Sequence, residues 1–359
     1  MKDASSTDVI VHDGVALTTF YQCGDAYRID PRTLETLGVA TNLAHDSFPR
    51  GATVSAHPKV DERTGELLFF NYAAEAPFCH VGITDARGRL LRAIPVPLPG
   101  PRLPHDMAFT ERFAIIADFP LFWDPEKLAQ GAHRARWFPE LGSRFALVPR
   151  DGNGPIRWFT ASPTYVLHFS NAWEEEDGNV VVLEGYHQAH AIPERGLDDN
   201  AITMFMKSLD MHAMKTRLHR WRFDLRTGAV KEELLDDAVS EFPTIDARRA
   251  GKKSRFIYAA TGEPGFFLFN GFVRTDTETG AKKSYALPKG VFASEAPFCP
   301  RKGATAEDDG YLVTFTTDLN EDRSECLVFD AKEIERGPVA RVRLPMRISS
   351  GTHATWMPL

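Results

Sequence analysis

Short apolar runs that end in turn signals recur along this chain, and they constrain its fold more than any other feature. The runs are ELLFFNYA at 66–73, FAIIADF at 113–119, NVVVLEGY at 179–186, RFIYAATG at 255–262 and YLVTFTTD at 311–318. Each is of strand length and rich in β-branched or aromatic residues, which suit a pleated, half-buried surface. The turns repeat as well. Asp-x-x-Thr-Gly occurs at Asp61–Gly65, Asp224–Gly228 and Asp276–Gly280, with relatives at Asp30-Pro31-Arg32-Thr33 and Asp85-Ala86-Arg87-Gly88. In such a turn the Asp and Thr side chains satisfy backbone groups, and Gly supplies the positive φ. Asp177-Gly178 and Asp309-Gly310 also precede strand-like runs. A hairpin unit that recurs every roughly 50 to 60 residues reads as the blades of a β-propeller, with a sandwich of unrelated hairpins as the alternative. Helical patterns are scarce; only Pro125–Gly131 and Ala201–Met214 could wind.

Composition removes several classes of function. The net charge of −7 argues against a nucleic-acid partner, which calls for a basic excess. The most apolar stretch, Phe113–Trp123, is short and broken by Asp118 and Pro120, so it cannot span a bilayer. The N-terminus lacks an apolar core of signal-peptide length. Cys23, Cys79, Cys299 and Cys326 form no C-x-x-C pair, so the expectation is reduced thiols in a cytoplasmic protein. The stretch His187–Asp210 and the methionines after it could be an apolar excursion at a site or a membrane surface; a buried helix packing its methionines is the plainer reading.

Four of the twelve histidines have a distinctive setting: His57 in SAHPKVD, His105 in LPHDMAFT, His168 in YVLHFSNAWE and His353 in SSGTHATWMP. Each lies where a loop meets a strand-like run. Two lone carboxylates, Glu241 in SEFPTID and Glu295 in SEAPFCP, fall in the long gap before the last histidine. The six positions step by 48, 63, 73, 54 and 58 residues, about one per blade. A propeller can bring one residue from each blade to a common axis. Neutral imidazoles gathered there describe a site for Zn, Cu, Fe or Ni. The carboxylates would each accept the remaining ring N–H of a ligand histidine.

With these motifs in order, the chain resembles the carotenoid cleavage oxygenases, a family that includes stilbene-cleaving dioxygenases. The resemblance runs from about Tyr27 to Pro358, through YRIDPRTLETLG, SAHPKVDERTGEL, LPHDMAFT, HFSNAWEEEDG, EFPTID, SEAPFCP and GTHATW. It implies an all-β, seven-bladed propeller with one Fe(II) on the axis, held by His57, His105, His168 and His353. Glu241 and Glu295 match two of three glutamates that orient those ligands. Counting back from Pro31, the third falls on Gln22, beside Tyr21; an amide can accept an N–H but carries no charge. Relative to the family, roughly a hundred residues before Val9 are expected to be missing, leaving residues 1–359 as a single propeller domain short of its first strands.

The implied chemistry is insertion of both atoms of O2 across a conjugated C=C bond, giving two carbonyl products without an organic cofactor. No Gly-rich phosphate loop or G-x-S-x-G elbow competes. The substrate is expected to be apolar, with Phe169 and Phe242 lining its path and the possibility of a peripheral membrane contact. Stilbene-cleaving members usually carry a Lys where this chain has Tyr21, which favours a carotenoid or apocarotenoid. The alternatives are a stilbene or phenylpropanoid substrate, or a propeller that binds iron without turnover.

Overall fold

A computed structural model describes residues 5–48, 53–194, 196–198, 200–349 and 351–358. The repeated turns form as their composition requires. At Asp61, Asp224 and Asp276 the carboxylate Oδ1 accepts the backbone N–H groups two or three residues on, at 2.8–3.3 Å. The glycine that closes each turn has φ near +75° and donates its N–H to the Asp carbonyl at 2.7–2.9 Å. The Asp30 relative makes the same bonds, but Leu34 occupies the place of the glycine at φ 61°.

These turns join strands into antiparallel four-strand groups. The first is Asp8–His12, Val15–Thr19, Tyr27–Ile29 and Thr36–Val39. The second is Lys59–Asp61, Glu66–Tyr72, Cys79–Thr84 and Leu90–Pro95. The third is Met107–Phe109, Phe113–Asp118, Ser143–Pro149 and Arg157–Ala161. A small ribbon and the helix Pro125–Ala129, capped by the Asp124 side chain, are inserted into it. The fourth contains Tyr165–Glu175, Val180–Gln188, Thr216–Asp224 and Val230–Leu234. The last two groups are Glu241–Thr244 with the three strands through Ala286, and Phe298–Pro300 with the three through Arg343. Strand Val291–Ala293 stitches them into one nine-stranded sheet. Six such groups are present among the described residues.

Contacts divide the chain into two units. The first is Met1–Leu183 with Trp221–Glu232 and Ala250–Lys252; the second is Glu184–Arg220, Glu233–Arg249 and Lys253–Leu359. Each has its own core. In the first, Leu68, Phe70, Val81, Ile83, Met107, Ile116 and Val148 pack together. In the second, Phe242, Phe269, Phe272, Phe298, Leu312 and Phe329 do so. The methionine-rich stretch winds into two short helices, Ala201–Lys207 and Met211–Met214, and Met211 and Met214 are buried. Ile192, Leu197 and Ile202 near them are exposed. Among the described residues, no helix is long and apolar enough to cross a membrane. All four cysteines are thiols, and burial pushes Cys23 and Cys299 up to about 12, which keeps both neutral.

Candidate metal centre

Three of the four histidines meet in the first unit. His57 lies just ahead of strand Lys59–Asp61, His105 just ahead of Met107–Phe109, and His168 within Tyr165–Glu175. The rings of His57 and His105 have centroids 4.9 Å apart, those of His57 and His168 4.9 Å, and those of His105 and His168 5.4 Å. Nε2 of His57 is 3.2 Å from Nε2 of His105. His57 and His168 are buried, and His105 is half-buried. His57 also holds the left-handed backbone conformation, at φ 62°. That conformation costs an L-residue about 1–2 kcal/mol, so its surroundings must enforce it.

One buried carboxylate ties the three segments together. Asp106 is 1% exposed. Its Oδ1 accepts the Met107 N–H at 2.7 Å and pairs with Lys59 Nζ at 2.8 Å. Its Oδ2 accepts the Phe169 N–H at 2.8 Å. Asp106 therefore touches the chain beside each of the three histidines. A second carboxylate reaches an imidazole directly: Asp8 Oδ2 lies 3.0 Å from His57 Nδ1.

At the position where the resemblance implies a glutamate, the Gln22 amide donates to Tyr21 Oη at 2.7 Å. The Tyr21 ring is 5.8 Å from that of His105. The Tyr21 carbonyl accepts hydrogen bonds from Ser55 Oγ at 3.1 Å and Tyr72 Oη at 2.7 Å, which hold that stretch in place. Burial raises the Tyr21 phenol above its ordinary range, although the Gln22 hydrogen bond pulls it back in part. The phenol is therefore neutral at pH 7.

The second unit contains the fourth histidine and both glutamates. His353 Nδ1 lies 3.3 Å from Glu295 Oε2, and the same oxygen accepts the Ala354 N–H at 2.8 Å. The Glu295 N–H donates to the Thr352 carbonyl at 3.1 Å, so the C-terminal segment is fastened on both sides of His353. Glu241 is buried at the start of strand Glu241–Thr244, and its carboxylate accepts the Phe242 N–H. Phe242 is also left-handed, at φ 56°. Its ring lies 4.8 Å from that of His353 and packs on Phe267 and Phe269. Phe169 is buried in the first unit.

The donor set of the first unit suits a borderline transition metal. It offers imidazole nitrogens, with no thiolate among them, at spacings a single ion could bridge. Ring nitrogens of His57 and His168 lie within 4.8 Å of each other. With Nδ1–H of His57 donated to Asp8, the Nε2 lone pair is left facing the cluster.

A family model described as retinal pigment epithelial membrane protein matches residues 1–358. The chain belongs to this family. It is similar to isoeugenol monooxygenase of Pseudomonas nitroreducens, 30% identical over 99% of this chain and 76% of that one. It is also similar to carotenoid 9,10(9',10')-cleavage dioxygenase of Crocus sativus, 31% identical over 90% of this chain and 60% of that one. Among solved structures it resembles lignostilbene dioxygenase of Pseudomonas brassicacearum, with TM-score 0.85, 30% identity, and coverage of 99% and 75%. A variant of Synechocystis apocarotenoid oxygenase superposes with TM-score 0.87 at 22% identity, covering 100% and 75%; at that identity the likeness is one of fold. The fold is thus the all-β propeller of the carotenoid oxygenases, and the family member is an oxidoreductase of the dioxygenase class.

Sequence reasoning did not single out Asp8, Asp106 or Lys59. Asp106 stood inside the quoted LPHDMAFT, and an acid directly before an apolar strand was the available signal. Nothing local marks Asp8, whose partner is 49 residues away.

Proposed function

We propose that this chain is a non-haem Fe(II) dioxygenase that cleaves a conjugated C=C bond with O2 to give two carbonyl products. One iron per chain would be held by His57, His105, His168 and His353. The observation that carries the reading is the convergence of three imidazoles in one unit, with Nε2 of His57 and His105 3.2 Å apart. Held by neutral imidazoles, iron(II) would keep its double positive charge and supply the means of activating O2. The protein's own contribution is orientation. Glu295 fixes the His353 ring through Nδ1, and Glu241 is offered as the equivalent acceptor for another ligand. Gln22 stands where a third acid is expected, and its amide donates to the Tyr21 hydroxyl. A cytoplasmic location is proposed with it, on the strength of the four free thiols.

The substrate proposed first is a carotenoid or apocarotenoid. Tyr21, a neutral phenol, stands beside His105 where a cation would suit a phenolate, and Phe242 offers an apolar face beside His353. A stilbene or phenylpropanoid is the second reading. It is supported by the likeness to the isoeugenol and lignostilbene enzymes, each 30% identical over 99% of this chain. The test is to incubate iron-loaded protein under 18O2 with a panel of carotenoids, apocarotenoids and stilbenes, and to analyse the aldehydes by mass spectrometry. Two labelled carbonyl products from one polyene support the reading. Iron-loaded protein that consumes no O2 with any member of the panel would instead make it an iron-binding propeller.

A further inference from the structure

We propose that Asp8, on the first strand of the chain, is the positioning residue that sets the tautomer of His57 and strengthens it as a metal ligand. The inference rests on the metal-site reading above and deepens it. Asp8 Oδ2 is 3.0 Å from His57 Nδ1, and the side chains are only 11% and 4% exposed. The carboxylate is not free to swing, because its other oxygen accepts the Val9 N–H at 2.7 Å. Its backbone is registered against Thr19 in the ladder between Asp8–His12 and Val15–Thr19. A carboxylate at this distance accepts a hydrogen bond from Nδ1–H, so neutral His57 carries its proton there. Nε2 then presents a lone pair, and it is Nε2 that faces His105.

The same contact answers a question raised by Gln22. A carboxylate that accepts the ring N–H makes an imidazole a better donor to a metal. The amide of Gln22 brings no charge to the cluster, and its NH2 is directed at Tyr21. In the first unit, Asp8 brings a carboxylate directly to one of the three imidazoles. The strand that contains it pins the acid 49 residues upstream of the histidine it orients.

The experiment compares wild type, Asp8→Asn and Asp8→Ala by two readouts. The first is the tautomer of His57 in metal-free protein, read from 15N chemical shifts at a pH where the imidazoles are neutral. The second is the rate of iron loss to a chelator. Wild type should show the Nδ1–H tautomer. Asp8→Ala should lose that preference and release iron about 10- to 100-fold faster, the size typical of removing such a partner. Asp8→Asn keeps the shape without the charge and should fall between; it also serves if the alanine variant does not fold. Iron release within twofold of wild type in both variants would overturn the proposal, as would an Nε2–H tautomer in wild type. A wild type with the Nδ1–H tautomer that binds no iron would overturn the ligand reading, and with it Asp8's part in metal binding, while leaving the Asp8–His57 pair intact.

Discussion

Replacing Asp106 tests whether one carboxylate organises the histidine cluster. In Asp106→Ala the buried N–H groups of Met107 and Phe169 lose their acceptor. Each buried donor left without a partner costs about 1–3 kcal/mol. Lys59 loses its ion pair as well, but its side chain is 28% exposed and water compensates for much of that. The sum is a loss of roughly 2–6 kcal/mol. For 359 residues unfolding together, at about 2.1 cal/mol/K per residue, the unfolding entropy is about 0.75 kcal/mol/K, so Tm should fall by roughly 3–8 °C. Asp106→Asn keeps one acceptor oxygen and should lose about half as much. The assay is thermal unfolding at fixed pH and salt, followed by far-UV circular dichroism and by fluorescence, because coincident curves are needed to read one Tm. Iron release should also quicken in both variants, since the tether touches the chain beside His57, His105 and His168. An alanine variant with Tm within about 1 °C of wild type and unchanged iron retention would refute the reasoning.

Three further predictions concern the turns and the buried ions. Leu34→Gly should stabilise the chain by about 0.5–1 kcal/mol, because the leucine is exposed and left-handed where the sister turns have glycine; a higher urea midpoint with an unchanged slope would show it. Arg150→Met should destabilise by roughly 3–5 kcal/mol in urea unfolding, since buried Arg150 pairs with Asp61 at 2.9 Å and with Glu66, and donates to the Thr110 carbonyl at 2.8 Å. Asp61 gives a pH test. Burial alone would raise its carboxyl, but the hydrogen bond and charge of Arg150, with help from Arg63, lower it overall. Its contribution is therefore complete above the ordinary carboxylate range and fades as pH falls through its lowered folded value. The Tm gap between wild type and Asp61→Asn should accordingly be widest near neutral pH and close in acid; a gap that widens below pH about 4 would contradict the assignment.

The blades were legible in the sequence because two local codes agree. Strand-length apolar runs alternate with Asp-x-x-Thr-Gly turns, and the hydrogen bonds at Asp61, Asp224 and Asp276 are those the residue types dictate. The Asp30 turn shows how far such a code stretches, since Leu34 adopts the glycine conformation without the glycine. The grouping of His57, His105 and His168 was legible as spacing, one position per blade, and through the family resemblance, and the strands bring the three rings together. His353 and Glu295 followed the same logic in the second unit, where they lie 3.3 Å apart. Asp8 and Asp106 were not legible as partners. Their contacts join residues 49 and 63 positions apart, and a lone acid in a strand or directly before one carries no periodic mark of what it faces.

The central claim is that His57, His105, His168 and His353 hold one iron. Its most direct test is metal analysis by inductively coupled plasma mass spectrometry on protein reconstituted with Fe(II) and desalted, wild type beside each of the four His→Ala variants. The expected result is close to one iron per chain in wild type and loss of most of it in every variant, with circular dichroism confirming that each remains folded. Full iron occupancy in folded His105→Ala, or a wild type that retains no iron, would contradict the account.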